Sequence, residues 1–205
     1  MTGNIIKKAV INNGNLLDYL KRKYNVDNIQ KCIQTNQISG VEPLLQDDYG
    51  ADNDCTLTSI TTILTQFCDK TPEEIYPIVE KYGLKYFYTG EKGTNPLVMR
   101  TIMNLAAQEL GIKKRAVVRY GKNVSFNFAG IKQHIDAGRL IMLSIFNDGR
   151  DYYKDHSVTI VGYSEYKVDK SRKAKMIKIY DNWHKEITYV DYDLLHLFSS
   201  LHYYN

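Results

Sequence analysis

The chain has 205 residues, 43% of them apolar, with 27 basic against 23 acidic side chains for a formal net charge of +4. That length fits one domain with room for a small appendage, and the apolar share supplies a core. The basic residues are spread along the chain, and their densest cluster, residues 167–178, is broken by Val168 and Asp169. This argues against the concentrated basic face that a nucleic-acid partner requires.

No run of eighteen apolar residues occurs, so neither a membrane span nor a membrane partner is expected. Residues 1–8 carry lysines without a long apolar run behind them and do not read as a signal peptide. The three cysteines, Cys32, Cys55 and Cys68, form no C-x-x-C pair. That argues against a zinc site or a disulfide framework and for a reduced, cytoplasmic setting. A chain trimmed of a secretion leader would read the same way.

Residues 1–14 are rich in Asn and Lys and are expected to be loosely held. Leu16, Leu17, Tyr19, Leu20 and Tyr24 predict a short helix capped by Asn15, and Ile29, Cys32 and Ile33 a second. Neither is long enough to stand without a body to pack on. Residues 1–40 therefore read as an N-terminal helical extension docked on a main domain of residues 41–205, with an autoinhibitory or recognition segment as the sharper alternative. Residues 41–46 are apolar and extended, because Pro43 biases its predecessor away from helix. Residues 47–54, with Tyr49-Gly50, predict a loop.

The next stretch organises the chain. Leu57, Ile60, Ile63, Leu64 and Phe67 fall on one helical stripe, and Asp52, Asn53 and Asp54 before it supply capping chemistry. Thr71-Pro72-Glu73-Glu74 opens a further helix, with Pro77 tolerated early and Gly83 as its stop. Residues 96–110 predict a longer helix ended by Gly111. A short strand at 116–118 and a helix at 129–137, closed by Gly138, follow. Strand patterns then take over at 140–146, 156–163, 176–180 and 186–190, with a turn at Asn147-Asp148-Gly149. Helices first and antiparallel strands after predict an α+β fold.

Cys55 falls in the first turn of the central helix, where unpaired backbone N–H groups and the helix dipole favour a thiolate. A cysteine so placed is a candidate nucleophile if a histidine reaches it. His156 opens a strand after a polar loop, a rigid place from which an imidazole can project into a cleft. Taken alone, such a histidine is more often structural. Asp181-Asn182-Trp183 closes the following strand, and Asp181 can hold a neighbouring imidazole in the useful tautomer. The joint order of Cys, His and Asp is what points to chemistry. His184, His196 and His202 lack metal-ligand spacing, so neither metal nor cofactor is expected. Cys32 and Cys68 read as small inert hydrophobes.

In this order the chain resembles the papain-like cysteine peptidases, most closely the bacterial C39-like branch, over residues 41–195. Members of that branch have an extended segment ending in Gln, a loop, and a Cys that begins a helix; here these are Glu42-Pro43-Leu44-Leu45-Gln46 and Cys55. The family's helix commonly continues Cys-Gly-Pro-Thr-Ser. Here Thr58 and Ser59 match, while Thr56 and Leu57 replace Gly and Pro. His156-Ser157-Val158-Thr159-Ile160-Val161-Gly162-Tyr163 is similar to the family's His strand, and Asp181-Asn182-Trp183 to its Asn-Ser-Trp.

The resemblance implies a papain-like fold, with N-terminal helices packed on a C-terminal antiparallel sheet, and hydrolysis of a peptide or protein substrate. Cys55 would be the nucleophile, His156 the base, Asp181 its orienting partner, and Gln46 the oxyanion donor with the Cys55 backbone N–H. Asn53 is the fallback donor and, with Trp183, a substrate-side residue; Trp183 also shields the triad. Asp54 works against a low thiol pKa unless it points away as a cap. The same residue order serves amidases, transglutaminases and acyltransferases, and an inactive binding module would keep the fold. The oligomeric state stays open.

Overall fold

Local chemistry sets most of the helix ends. Helix α1 (Leu16–Tyr24) follows Asn15 and is stopped by Asn25, which turns into the left-handed region at φ 52°. Helix α2 (Cys55–Leu64) is buried on nearly every side. Its threonines are tolerated there because their hydroxyls bond back along the helix: Thr61 Oγ1 donates to Leu57 O at 2.9 Å and Thr62 Oγ1 to Thr58 O at 3.0 Å. Helix α3 (Pro72–Lys85) starts with the expected capping box, the Thr71 N–H donating to Glu74 Oε2 at 2.9 Å. Gly83 does not end α3 as expected. A Cβ there would meet Leu57 Cδ2 at 2.9 Å, so the missing side chain lets α3 press onto α2. Helix α4 (Met99–Glu109) begins later than expected, and α5 (Phe128–Asp136) is capped by Asn127, whose Oδ1 accepts from the Gly130 N–H.

The computed structural model describes residues 9–50, 53–91, 93–146, 152–153 and 155–205. Residues 1–8, the expected capping residue Asp52 and the expected turn at Asn147-Asp148-Gly149 lie outside them. Among the described residues the fold is α+β: five helices, mostly N-terminal, pack on an open eight-stranded antiparallel sheet. The strands are β1 (Ile11–Asn12), β2 (Lys31–Gln37), β3 (Ala116–Tyr120), β4 (Ile141–Ile145), β5 (His156–Lys167), β6 (Lys173–Tyr180), β7 (Thr188–Asp191) and β8 (Ser200–Tyr204). Their order is β1-β7-β6-β5-β4-β8-β3, with β2 also on β5. Among these residues no helix is long and apolar enough to cross a membrane.

The second helix expected around Ile29, Cys32 and Ile33 is instead strand β2. Most of its side chains are exposed, so no buried stripe anchors a helix; its backbone pairs with β5. The long strand β5 is shared: β4 pairs with it from His156 to Ile160, and β2 from Gly162 to Lys167. Gly162 makes this possible, since a Cβ there would sit 2.5 Å from the Asn36 carbonyl oxygen. Residues of the expected N-terminal extension thus contribute two strands to the main sheet.

Alternation along β4 divides the core. Met142 joins the cluster under α2, α3 and α4, while Ile141, Leu143 and Ile145 join the cluster under α5. A third cluster is made by α1, with Leu16, Tyr19 and Leu20 over Ala174, Met176 and Tyr189. Tyr19 OH and Lys23 Nζ both reach Asp191 Oδ2 at 2.6 Å, pinning α1 to β7.

Candidate active site

Cys55 is the first residue of α2 and His156 the first of β5. What joins these two starts is Asn182, just past the end of β6. Its backbone is left-handed at φ 63°, a conformation that Asn tolerates better than most residues. This turns its side chain inward, where Nδ2 lies 2.9 Å from Cys55 O, 2.9 Å from Ser59 Oγ and 3.0 Å from Ser157 O. Its own carbonyl accepts from the Gln46 N–H at 3.0 Å. Thr56 Oγ1 and Ser157 Oγ meet at 2.9 Å beside it. The start of α2, the start of β5, the end of β6 and the segment carrying Gln46 therefore meet at one point.

His156 is 4% exposed, and its ring stacks on Trp183, with centroids 4.0 Å apart and planes at 20°, and packs near-parallel to Tyr153, at 5.7 Å and 12°. Its Nε2 lies 2.7 Å from the backbone carbonyl of Asp181. A carbonyl only accepts, so Nε2 carries the proton and the lone pair of the neutral ring is left on Nδ1.

The expected contact of this ring with the Asp181 carboxylate is not made. That carboxylate is fully buried and accepts at Oδ1 from the Trp183 and His184 N–H groups, at 3.0 and 2.9 Å. At Oδ2 it meets His184 Nδ1 at 2.8 Å, Tyr153 OH at 3.0 Å and Thr188 Oγ1 at 3.3 Å. Its oxygens are occupied in building the turn that lays Trp183 over the ring, and it orients His156 through its carbonyl.

Burial dominates the electrostatics. It pushes His156 down to about 4, against the opposing hydrogen bond and charge of Asp181. It also pushes the Cys55 thiol up, helped by the charge of Asp54 and opposed by the Ser157 backbone and the Thr56 hydroxyl. The depressed thiol pKa expected from a helix start is thus overridden, and the resting pair at neutral pH is thiol and neutral imidazole. Among the described residues no hydrogen bond joins the Cys55 sulfur to the His156 ring.

Asp54 occupies the N-cap place but makes no capping bond. Its carboxyl is fully buried, and Oδ2 accepts from Tyr76 OH at 2.6 Å and Thr58 Oγ1 at 3.1 Å. Burial pushes its pKa up, against those two hydrogen bonds. Tyr76 in turn stacks on Tyr49, centroids 3.9 Å apart. Gln46 opens a short 3-10 turn, Gln46–Asp48, that ends at Tyr49. Asn53 is exposed, and its Nδ2 donates to Gly90 O, so the expected fallback donor is engaged elsewhere. Trp183 is 43% exposed, forming an open apolar wall beside the histidine.

The sequence reading missed Asn182, Tyr153, Ser157 and Tyr76. Only Asn182 carried a signal, standing between two residues already singled out. A scan against models of known protein families gives no match, and no curated protein matches the chain.

Proposed function

We propose that the chain is a cysteine peptidase of papain-like fold acting on a peptide or protein substrate, with Cys55 as nucleophile and His156 as base. The observation that carries this reading is the Asn182 amide, which bonds the carbonyls of Cys55 and Ser157 at 2.9 and 3.0 Å and so sets the first turn of the helix against the first residues of the histidine strand. The tautomer imposed by the Asp181 carbonyl leaves the basic lone pair at Nδ1. His156 takes the thiol proton as the sulfur attacks the scissile carbonyl, and so forms the ion pair during reaction rather than at rest. A lid of substrate over the site strengthens that pair by excluding water.

The oxyanion that develops is met by the Gln46 side-chain amide and the Cys55 backbone N–H, one such donor being worth about 3 kcal/mol of barrier. His156 then returns its proton to the leaving amine, and water releases the acyl group. The Trp183 face, exposed beside the imidazole, borders the path of the substrate.

Cys55→Ala abolishes turnover of a fluorogenic peptide library while the melting temperature stays nearly unchanged; full turnover by that variant ends the assignment. A second reading, a papain-fold binding module without catalysis, is favoured by the neutral resting pair and the missing sulfur–imidazole bond. A folded wild-type chain that never labels at Cys55 with a thiol-directed acyl probe decides for it. With a free amine supplied, hydrolysed product points to the peptidase and an amine adduct to a transferase.

A further inference from the structure

A cavity of about 550 Å³ is lined by helix α4 and by the segment that leads from it into β3. Arg100, Asn104 and Gln108 line it from α4, four residues apart and so on one face of the helix. Lys113, Lys114 and Arg115 line it from the connecting segment. A Cβ on Gly111, at the bend between the two, would meet nothing within 4 Å, so the backbone there faces open space. None of the residues named for catalysis lines this cavity.

Its walls carry four cations and no acid. Among the described residues, none of the four meets a carboxylate at ion-pair distance. Glu109, the one acid of α4, is engaged by α3, where its Oε2 accepts from Lys81 Nζ at 2.7 Å and from Tyr82 OH at 2.6 Å. The Asn104 amide is fixed in the same sense. Its Oδ1 accepts from the Ala116 N–H at 2.8 Å, which leaves Nδ2, a donor, as its free end.

The fold does not account for this charge. Cations at the end of a helix offset its dipole, and Lys113 and Lys114, just past α4, serve that purpose. Arg100 does not. It is the second residue of α4, at the end where the dipole disfavours a cation, and no acid stands with it in the first turn. Arg115 is held by backbone pairing with Asn205, which fixes its place without using its charge. Like charges around one concave wall repel one another and focus a positive potential into it.

We propose that this cavity binds a small soluble polyphosphate, a ligand with several phosphate groups in a row. The site is separate from the Cys55 cleft and does not rest on the peptidase reading. Its volume is that of a small-molecule pocket. Arginine forks pair bidentately with phosphate, and lysine adds a point charge. From Arg100 to Gln108 the helix advances about 12 Å, longer than one phosphate ion, so a chain of them fits along the wall. A single carboxylate would leave most of the charge unmet.

The test is calorimetric titration of the full chain with inorganic triphosphate. One site per chain is expected, with an affinity that falls as salt rises. Arg100→Gln and Arg115→Gln should each weaken binding about tenfold or more, the loss of one charge-assisted contact. Lys170→Gln, in the densest basic cluster of the sequence but outside the cavity, should leave it unchanged. Thermal unfolding without triphosphate checks that each variant is folded. Amide shifts in the NMR titration should centre on residues 100–115. No binding of triphosphate overturns the proposal, and so does equal weakening by Lys170→Gln, which would reduce the effect to net charge. A single-stranded oligonucleotide that binds where triphosphate does not overturns it too, in favour of a nucleic-acid face. The titration reads no turnover, so its failure leaves the peptidase reading untouched, and Cys55→Ala should bind triphosphate as the wild type does.

Discussion

Asn182 reaches 2.9 Å into the first turn of the central helix to hold the carbonyl of Cys55, and the same nitrogen holds Ser157 O and Ser59 Oγ. Asn182→Gly keeps the left-handed backbone and removes only the amide. Two buried carbonyls and a hydroxyl lose their donor, at about 1–3 kcal/mol for the desolvated set. Urea denaturation should show that loss, and Asn182→Ala a further one from the φ of 63°. Turnover by Asn182→Gly should fall more than the fraction unfolded explains, because the helix start and the histidine strand are no longer tied.

Trp183 covers His156 at 4.0 Å, and burial is the main cause of the low imidazole pKa. Trp183→Ala admits water to the ring. The His156 pKa, read from its Cε1 proton by NMR, should climb from about 4 toward the ordinary 6.5. A pKa unmoved by this change assigns the desolvation to Tyr153 and the strand instead.

Acid stability should follow two histidines. His202 is also fully buried, with Nε2 between Ser200 Oγ at 2.9 Å and Ser144 Oγ at 3.4 Å, and burial brings it to about 4 as well. Between pH 6.5 and 4 the unfolded chain binds protons at these two positions that the folded chain refuses. Stability from both is therefore complete above 6.5 and is lost as pH falls toward 4, on the order of 3 kcal/mol per ring. Asp54 works the other way, since its raised pKa makes stability fall as pH rises. The measurement is thus the difference in urea midpoint against pH between wild type and His202→Gln, which should close as pH drops.

Gly162→Ala places a methyl group 2.5 Å from the Asn36 carbonyl oxygen, a backbone atom that cannot swing aside. Strand β2 should be pried from β5, with destabilisation of about 2 kcal/mol or more. Amide exchange should lose protection across residues 31–37 and keep it in α2.

The helices were legible where caps and stripes agreed: Thr71 to Glu74 for α3, and the row of Leu57, Ile60, Ile63 and Leu64 for α2. The strand β2 was not, because Ile29, Cys32 and Ile33 fall by chance at helical spacing while the strand depends on backbone pairing that side chains do not advertise. The strand β8, from Ser200 to Tyr204, is buried at every residue and shows no alternation to read. In the site, Cys55, His156 and Asp181 were visible as residue types in order. The ways in which they are held were not: a backbone carbonyl takes the place of the Asp181 carboxylate, and Asp54 turns inward to Tyr76 rather than capping. Both depend on a turn whose course emerges only from tertiary packing.

The division of β5 between two neighbours has a practical consequence. Because β4 reaches only to Ile160, a shortened protein starting after residue 40 would uncover the flank from Gly162 to Lys167. Its bare peptide groups would invite pairing with other copies. Sedimentation of such a truncation should show concentration-dependent self-association, so recombinant work is best begun ahead of Lys31.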